Sequence, residues 1–175
     1  MAKSRGIHTK PVDGHSIEWL TPEWIIDALG PFDLDPCAHP KQPWKTAATM
    51  IAPPQNGLKV KWSDYGIAFV NPPYGRSLTS WARKTAKEGN AFLLVPSRTE
   101  VEKWFFPYVW RKASAILFLR GRLYFRKPDG SMRGNAGHGS IIAAYGDACK
   151  ERLRESGIPG MFVDLEFCEE IGRDQ

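Results

Sequence analysis

The feature that most constrains this chain is a short apolar run that ends on two consecutive prolines. Ile67-Ala68-Phe69-Val70 leads straight into Asn71-Pro72-Pro73-Tyr74-Gly75. A compact apolar run of this length reads as a strand buried on both faces. Prolines have no N–H for a sheet ladder, so the strand stops where the motif begins. Residues 91–95 and 115–119 are runs of the same kind, and residues 77–88 read as a helix with Trp81 on its inner face. Such alternation predicts an α/β domain with a central, mostly parallel sheet. Ligands bind beyond the carboxyl ends of the strands in sheets of this type.

Thr21-Pro22-Glu23 reads as a helix start, with Thr as N-cap and Pro at the first helical position. The helix passes through Trp24, Ile25, Ile26 and Leu29, and Gly30-Pro31 ends it. Phe32-Asp33-Leu34-Asp35-Pro36 follows as a short strand that a proline terminates on two acids. Residues 37–65 have little periodicity. Residues 97–102 carry overlapping capping boxes for a helix around Trp104 and Phe105. Residues 121–125 and 140–145 flank a loop, 126–139, rich in Gly, Lys and Arg. Residues 1–16 are polar and aperiodic and read as a flexible arm, which leaves residues 17–175 as a single domain.

Cys37, Cys149 and Cys168 are odd in number and far apart, no CxxC pair exists, and the four histidines have no metal-ligand spacing. The expectation is a reducing compartment and no bound metal. Residues 1–10 lack the apolar centre of a signal peptide, and no run is long enough to span a bilayer, so the expected location is cytoplasmic. A formal charge of +5 and a sequence pI near 9.2 suit a polyanionic partner, or serve solubility alone.

Asn-Pro-Pro-Tyr has a specific chemical use. An exocyclic adenine amine is a poor nucleophile because its lone pair is delocalised into the ring. Two acceptors on its two N–H groups draw the nitrogen toward tetrahedral geometry and free that pair. The Asn71 side-chain oxygen and the Pro72 carbonyl are candidates, with Pro72 and Pro73 fixing the backbone that aims them. Tyr74 is then available to stack on a base swung out of the duplex. The bland alternative is a proline-rich turn with a surface tyrosine.

The chain resembles the phage-type DNA N-6-adenine methyltransferases over roughly residues 19–145. The matching pieces are Leu20-Thr21-Pro22; Phe32-Asp33-Leu34-Asp35-Pro36-Cys37-Ala38; Asn56-Gly57-Leu58 ahead of Trp62; Phe69-Val70-Asn71-Pro72-Pro73-Tyr74; Val95-Pro96-Ser97-Arg98-Thr99; and Gly121-Arg122-Leu123 with Phe125. The resemblance implies a Rossmann-like methyltransferase fold that binds S-adenosylmethionine. It assigns Thr21, Pro22, Asp35, Pro36, Cys37 and Ala38 to the cofactor side, with Asp35 accepting from the donor's amino group. Two departures stand out. Pro36-Cys37-Ala38-His39 replaces the glycine-rich cofactor loop of many methyltransferases. No Asp or Glu lies between Asp35 and Asp64, so Asp64 is left either to contact the adenosine moiety or to cap a turn.

Arg98, Arg122, Arg126, Lys127 and Arg133 are the candidates for gripping double-stranded DNA around a flipped base. Rival expectations are methylation of RNA adenine or of a protein glutamine, and a catalytically idle nucleic-acid-binding protein.

Overall fold

The computed structural model describes residues 19–135 and 137–172. The arm expected over residues 1–16 lies outside the described residues. The described chain forms strands β1 (Leu34–Asp35), β2 (Thr49–Met50), β3 (Ala68–Val70), β4 (Ala91–Pro96), β5 (Ala115–Leu119), β6 (Tyr124–Arg126), β7 (Met132–Asn135), β8 (Ser140–Tyr145) and β9 (Gly160–Asp164). Its helices are α1 (Glu23–Leu29), α2 (Leu78–Glu88) and α3 (Asp147–Glu155).

Seven strands make one sheet in the order β2-β1-β3-β4-β8-β5-β9, and β6 pairs with β7 in a separate hairpin. The pairs β1–β2, β1–β3 and β3–β4 are parallel. Strand β8 runs antiparallel to both β4 and β5, and β9 antiparallel to β5. The sheet is therefore mixed: β1 to β5 share one direction and β8 and β9 oppose it. This α/β architecture is compatible with a Rossmann-like fold.

Both faces of the sheet are covered. Phe69, Phe92, Leu94, Ile142 and Ala144 pack with Ile25, Ile26 and Leu29 of α1 and with Cys149 and Leu153 of α3. Their neighbours Val70, Leu93, Val95, Ile141 and Tyr145 pack on the other side with Trp62 and with Leu78, Trp81 and Ala82 of α2. Two-sided burial is why β3, β4 and β8 read as continuous apolar runs rather than alternating ones.

The helix starts differ from expectation. Pro22, in extended conformation, occupies the N-cap of α1, and no side chain caps it. No helix starts at residues 97–102 either. The Ser97 N–H donates to Gly139 O at 3.0 Å and the Arg98 N–H to Pro96 O at 2.8 Å, which holds that stretch beside the sheet. The helical segment there is a π-turn over Phe106–Trp110. Pro107 has no N–H to give, and the Arg111 N–H reaches back five residues to Phe106 O at 3.2 Å. Strands β2, β7 and β9 and helix α3 were not expected from the sequence. Residues 49–50 are only half-buried, and α3 buries just Cys149 and Leu153, so neither carries a strong apolar period.

From β1 the chain moves outward to β2 and then returns past β1 to β3 on the other side. The winding reverses between β1 and β3, which makes the crevice above their carboxyl ends the ligand position of an open α/β sheet.

Candidate active site

A cavity of about 1140 Å³ opens at that crevice, and its lining includes Asp35, Cys37, Gln42, Asn71, Tyr74 and Arg98. This exceeds the roughly 300–1,000 Å³ of an ordinary small-molecule pocket, so the cavity has room for more than one small group.

Asp35 ends β1 and is buried. The Cys37 N–H donates to its Oδ1 at 3.0 Å, and the Thr46 hydroxyl donates to Oδ2. Burial outweighs these hydrogen bonds and pushes the carboxyl up from 3.8 to about 6. Cys37 lies beside the Asp35 carboxylate and the Asn71 backbone N–H, and burial pushes its thiol well above the usual range. A thiol held neutral is a poor nucleophile. Asn56-Gly57-Leu58 braces this loop from behind. A Cβ on Gly57 would fall 1.8 Å from Pro36 O, so only glycine fits. The Asn56 side chain accepts from the Leu58 N–H at 3.0 Å, and Gly57 O accepts from Trp62 Nε1 at 2.8 Å.

Asn71 follows β3 directly. Its Nδ2 donates to Trp19 O at 2.7 Å and to Thr21 Oγ1 at 3.0 Å. A backbone carbonyl only accepts, so the amide must face Trp19 with its nitrogen. Oδ1 is then the end left for a ligand, and among the described residues it accepts no hydrogen bond. The Tyr74 hydroxyl reaches Leu94 O at 3.4 Å. Its ring sits edge-on to Phe125, with centroids 6.2 Å apart, and 5.9 Å from the His138 ring.

Thr21, Asp35, Pro36, Cys37, Ala38, Asn71, Pro72, Pro73, Tyr74 and Arg98 are thus brought together around one cavity. Pro22 is buried at the start of α1 and is not part of its lining. Asp64 is also outside the cavity, exposed and paired with Lys61 at 2.8 Å. Arg122 and Lys127 are exposed on and beside the hairpin, and Arg126 is half-buried at the end of β6. Arg133 lies on β7, and its side chain falls outside the described residues.

Sequence reasoning missed Trp19, Gln42, Thr46, Trp104 and His138, all in the cavity wall. Trp19, Gln42, Thr46 and Trp104 lie near or between the family-like pieces in the chain, whereas His138 falls in the loop beyond the last of them. Among the described residues no three His, Cys, Asp or Glu side chains cluster as a metal site. None of their helices is long and apolar enough to cross a membrane.

This is the anatomy of an α/β protein with a large cavity at its switch point and a fixed amide in the cavity wall. A family model described as DNA N-6-adenine-methyltransferase (Dam) matches residues 9–153. The chain belongs to that family and is a methyltransferase. No curated protein and no solved structure matches it.

Proposed function

We propose that the protein methylates the N6 amine of adenine in double-stranded DNA, using S-adenosylmethionine and a base flipped into the cavity. The observation that carries this reading is the Asn71 amide, tethered through its nitrogen so that Oδ1 is free for an amine. Membership of the adenine-N6 family supplies the substrate class.

The cavity fits the cofactor. Gln42 Nε2 is buried in its wall with no partner among the described residues, and an acceptor on a bound ligand relieves that unmet donor. Asp35 supplies a carboxylate for the donor's amino group, and Pro36, Cys37 and Ala38 form the surface against its methionine part. When bound, S-adenosylmethionine supplies a methyl group made electrophilic by a cationic sulfonium. Asn71 Oδ1 and the Pro72 carbonyl accept from the two N6 hydrogens and expose the nitrogen lone pair. Tyr74, held by Phe125 and Leu94, provides a fixed face for the base. Catalysis is then positioning and electrostatics, with no covalent enzyme intermediate. Arg98 at the cavity, with Arg122, Arg126, Lys127 and Arg133 on and near the hairpin, contacts the DNA backbone.

The test is methyl transfer from labelled S-adenosylmethionine to unmethylated DNA, read by nucleoside mass spectrometry. N6-methyladenine is expected with wild type. Asn71→Ala should lower transfer by at least about a hundredfold while cofactor affinity stays within about twofold. Absence of any methylated nucleoside with folded, cofactor-bound wild type defeats the reading and turns attention to RNA, protein glutamine or an idle binder.

A further inference from the structure

Thr21 and the Trp19 carbonyl do something the cofactor does not require: the carbonyl, which only accepts, decides which end of the Asn71 amide faces the cavity, and the Thr21 hydroxyl takes the second N–H and holds the amide in place. Thr21 is only 2% exposed, and its Oγ1 lies 3.0 Å from Asn71 Nδ2. Trp19 O takes the other position at 2.7 Å. An amide rotated by 180° would set Oδ1 against the Trp19 carbonyl, acceptor against acceptor, and would turn N–H groups toward the ligand. Such an amide cannot accept from an amine.

The short segment that provides these acceptors is itself pinned. Leu20, between them, donates to Arg126 O at 3.1 Å and accepts from the Arg126 N–H at 3.0 Å. It is 4% exposed, and the neighbouring Trp19 ring packs edge-on against Phe125 with centroids 5.3 Å apart. Both acceptors are therefore fixed in space by the β6 strand.

We propose that Thr21 is a positioning residue for methyl transfer, holding in place the Asn71 amide whose Oδ1 the Trp19 carbonyl leaves as the acceptor for the substrate amine, rather than a cofactor contact. This deepens the adenine-N6 reading and rests on it. Thr21→Val keeps the shape and removes the acceptor. Thr21→Ser keeps the acceptor and removes a methyl.

The experiment measures kcat and KM for DNA methylation, and S-adenosylmethionine affinity by calorimetry, for wild type and both variants. It adds solvent exchange of the Asn71 side-chain amide protons by NMR in wild type. Expected are slow exchange of both Asn71 protons and a kcat about tenfold lower in Thr21→Val, the order of one lost hydrogen bond. Cofactor affinity should be unchanged within about twofold, and Thr21→Ser should recover kcat to within about threefold of wild type. The proposal is overturned if Thr21→Val keeps wild-type kcat, if cofactor affinity falls in step with kcat, or if Thr21→Ser is as slow as the valine variant. Fast exchange of both Asn71 amide protons in wild type overturns it whether or not either variant folds. A wild type that shows the protected amide and transfers no methyl group instead defeats the adenine-N6 reading.

Discussion

Asp35 is a carboxylate whose charge is costly until a cation arrives. Its two hydrogen-bond donors do not offset burial, and the folded protein holds the proton up to about pH 6. A folded pKa above the unfolded 3.8 means that the native state binds more protons between those values. Stability should then fall as pH rises from about 4 to about 6 and level off above, by roughly 3 kcal/mol in total. Melting curves of wild type and Asp35→Asn across that range check it, since the variant lacks this component of the slope. A bound cation favours the ionised carboxylate, so the sign for the cofactor is opposite. S-adenosylmethionine affinity should rise as pH climbs through about 6 and then plateau, and Asp35→Asn should bind more weakly without that rise. Calorimetric affinities that are flat from pH 5 to 7 would remove Asp35 from contact with the donor's amino group.

Among the elements, the β6–β7 hairpin supports the site from outside the cavity lining. Its Phe125 is fully buried and touches both the Trp19 and Tyr74 rings, so one side chain supports both the tether of Asn71 and the Tyr74 ring. Phe125→Leu should cost about 1–2 kcal/mol in stability. It should also lower kcat several-fold more than an equally destabilising change remote from the cavity, such as Leu153→Val in α3. Parallel melting and initial-rate measurements make that comparison. Strands β3, β4, β5 and β8 were legible because a strand covered on both faces must be apolar at every position, and the sequence carries that directly. The placing of Asn71 at a strand end was legible for the same reason, and that of Asp35 because Pro36 terminates a short strand there. Thr21 was read as a cap because Thr-Pro-Glu satisfies the local rule, whereas its hydroxyl bonds a residue fifty positions away. Gln42 and His138 sit in segments with no periodicity, and only the tertiary fold turns them toward the cavity. Asp64 looked available for a ligand because the sequence offered no other acid in the right interval, yet a neighbouring lysine pairs with it.

At the scale of the whole molecule, a formal charge of +5 is modest, and what matters is where cations stand relative to the cavity mouth. Arg98 is exposed there. If it meets a phosphate, Arg98→Ala should weaken DNA binding alike for different sequences and flatten the dependence of log affinity on log salt by about 0.9. Fluorescence anisotropy over a salt series reads that slope, and a slope equal to wild type would take Arg98 off the backbone. The reversed strand β8 has a consequence of another kind, in the order in which the chain is made. It lies between β4 and β5 but follows both in sequence, so a ribosome delivers the sheet with its middle missing. By residue 96 the chain already contains β2-β1-β3-β4, the half that carries Asp35 and Asn71, with the outer edge of β4 unpaired. That edge stays open while β5 and the hairpin are synthesised, and it closes only when residues 140–145 emerge. The nascent protein is most vulnerable to mispairing in that interval, and the strand that ends it is one of the most deeply buried in the finished molecule.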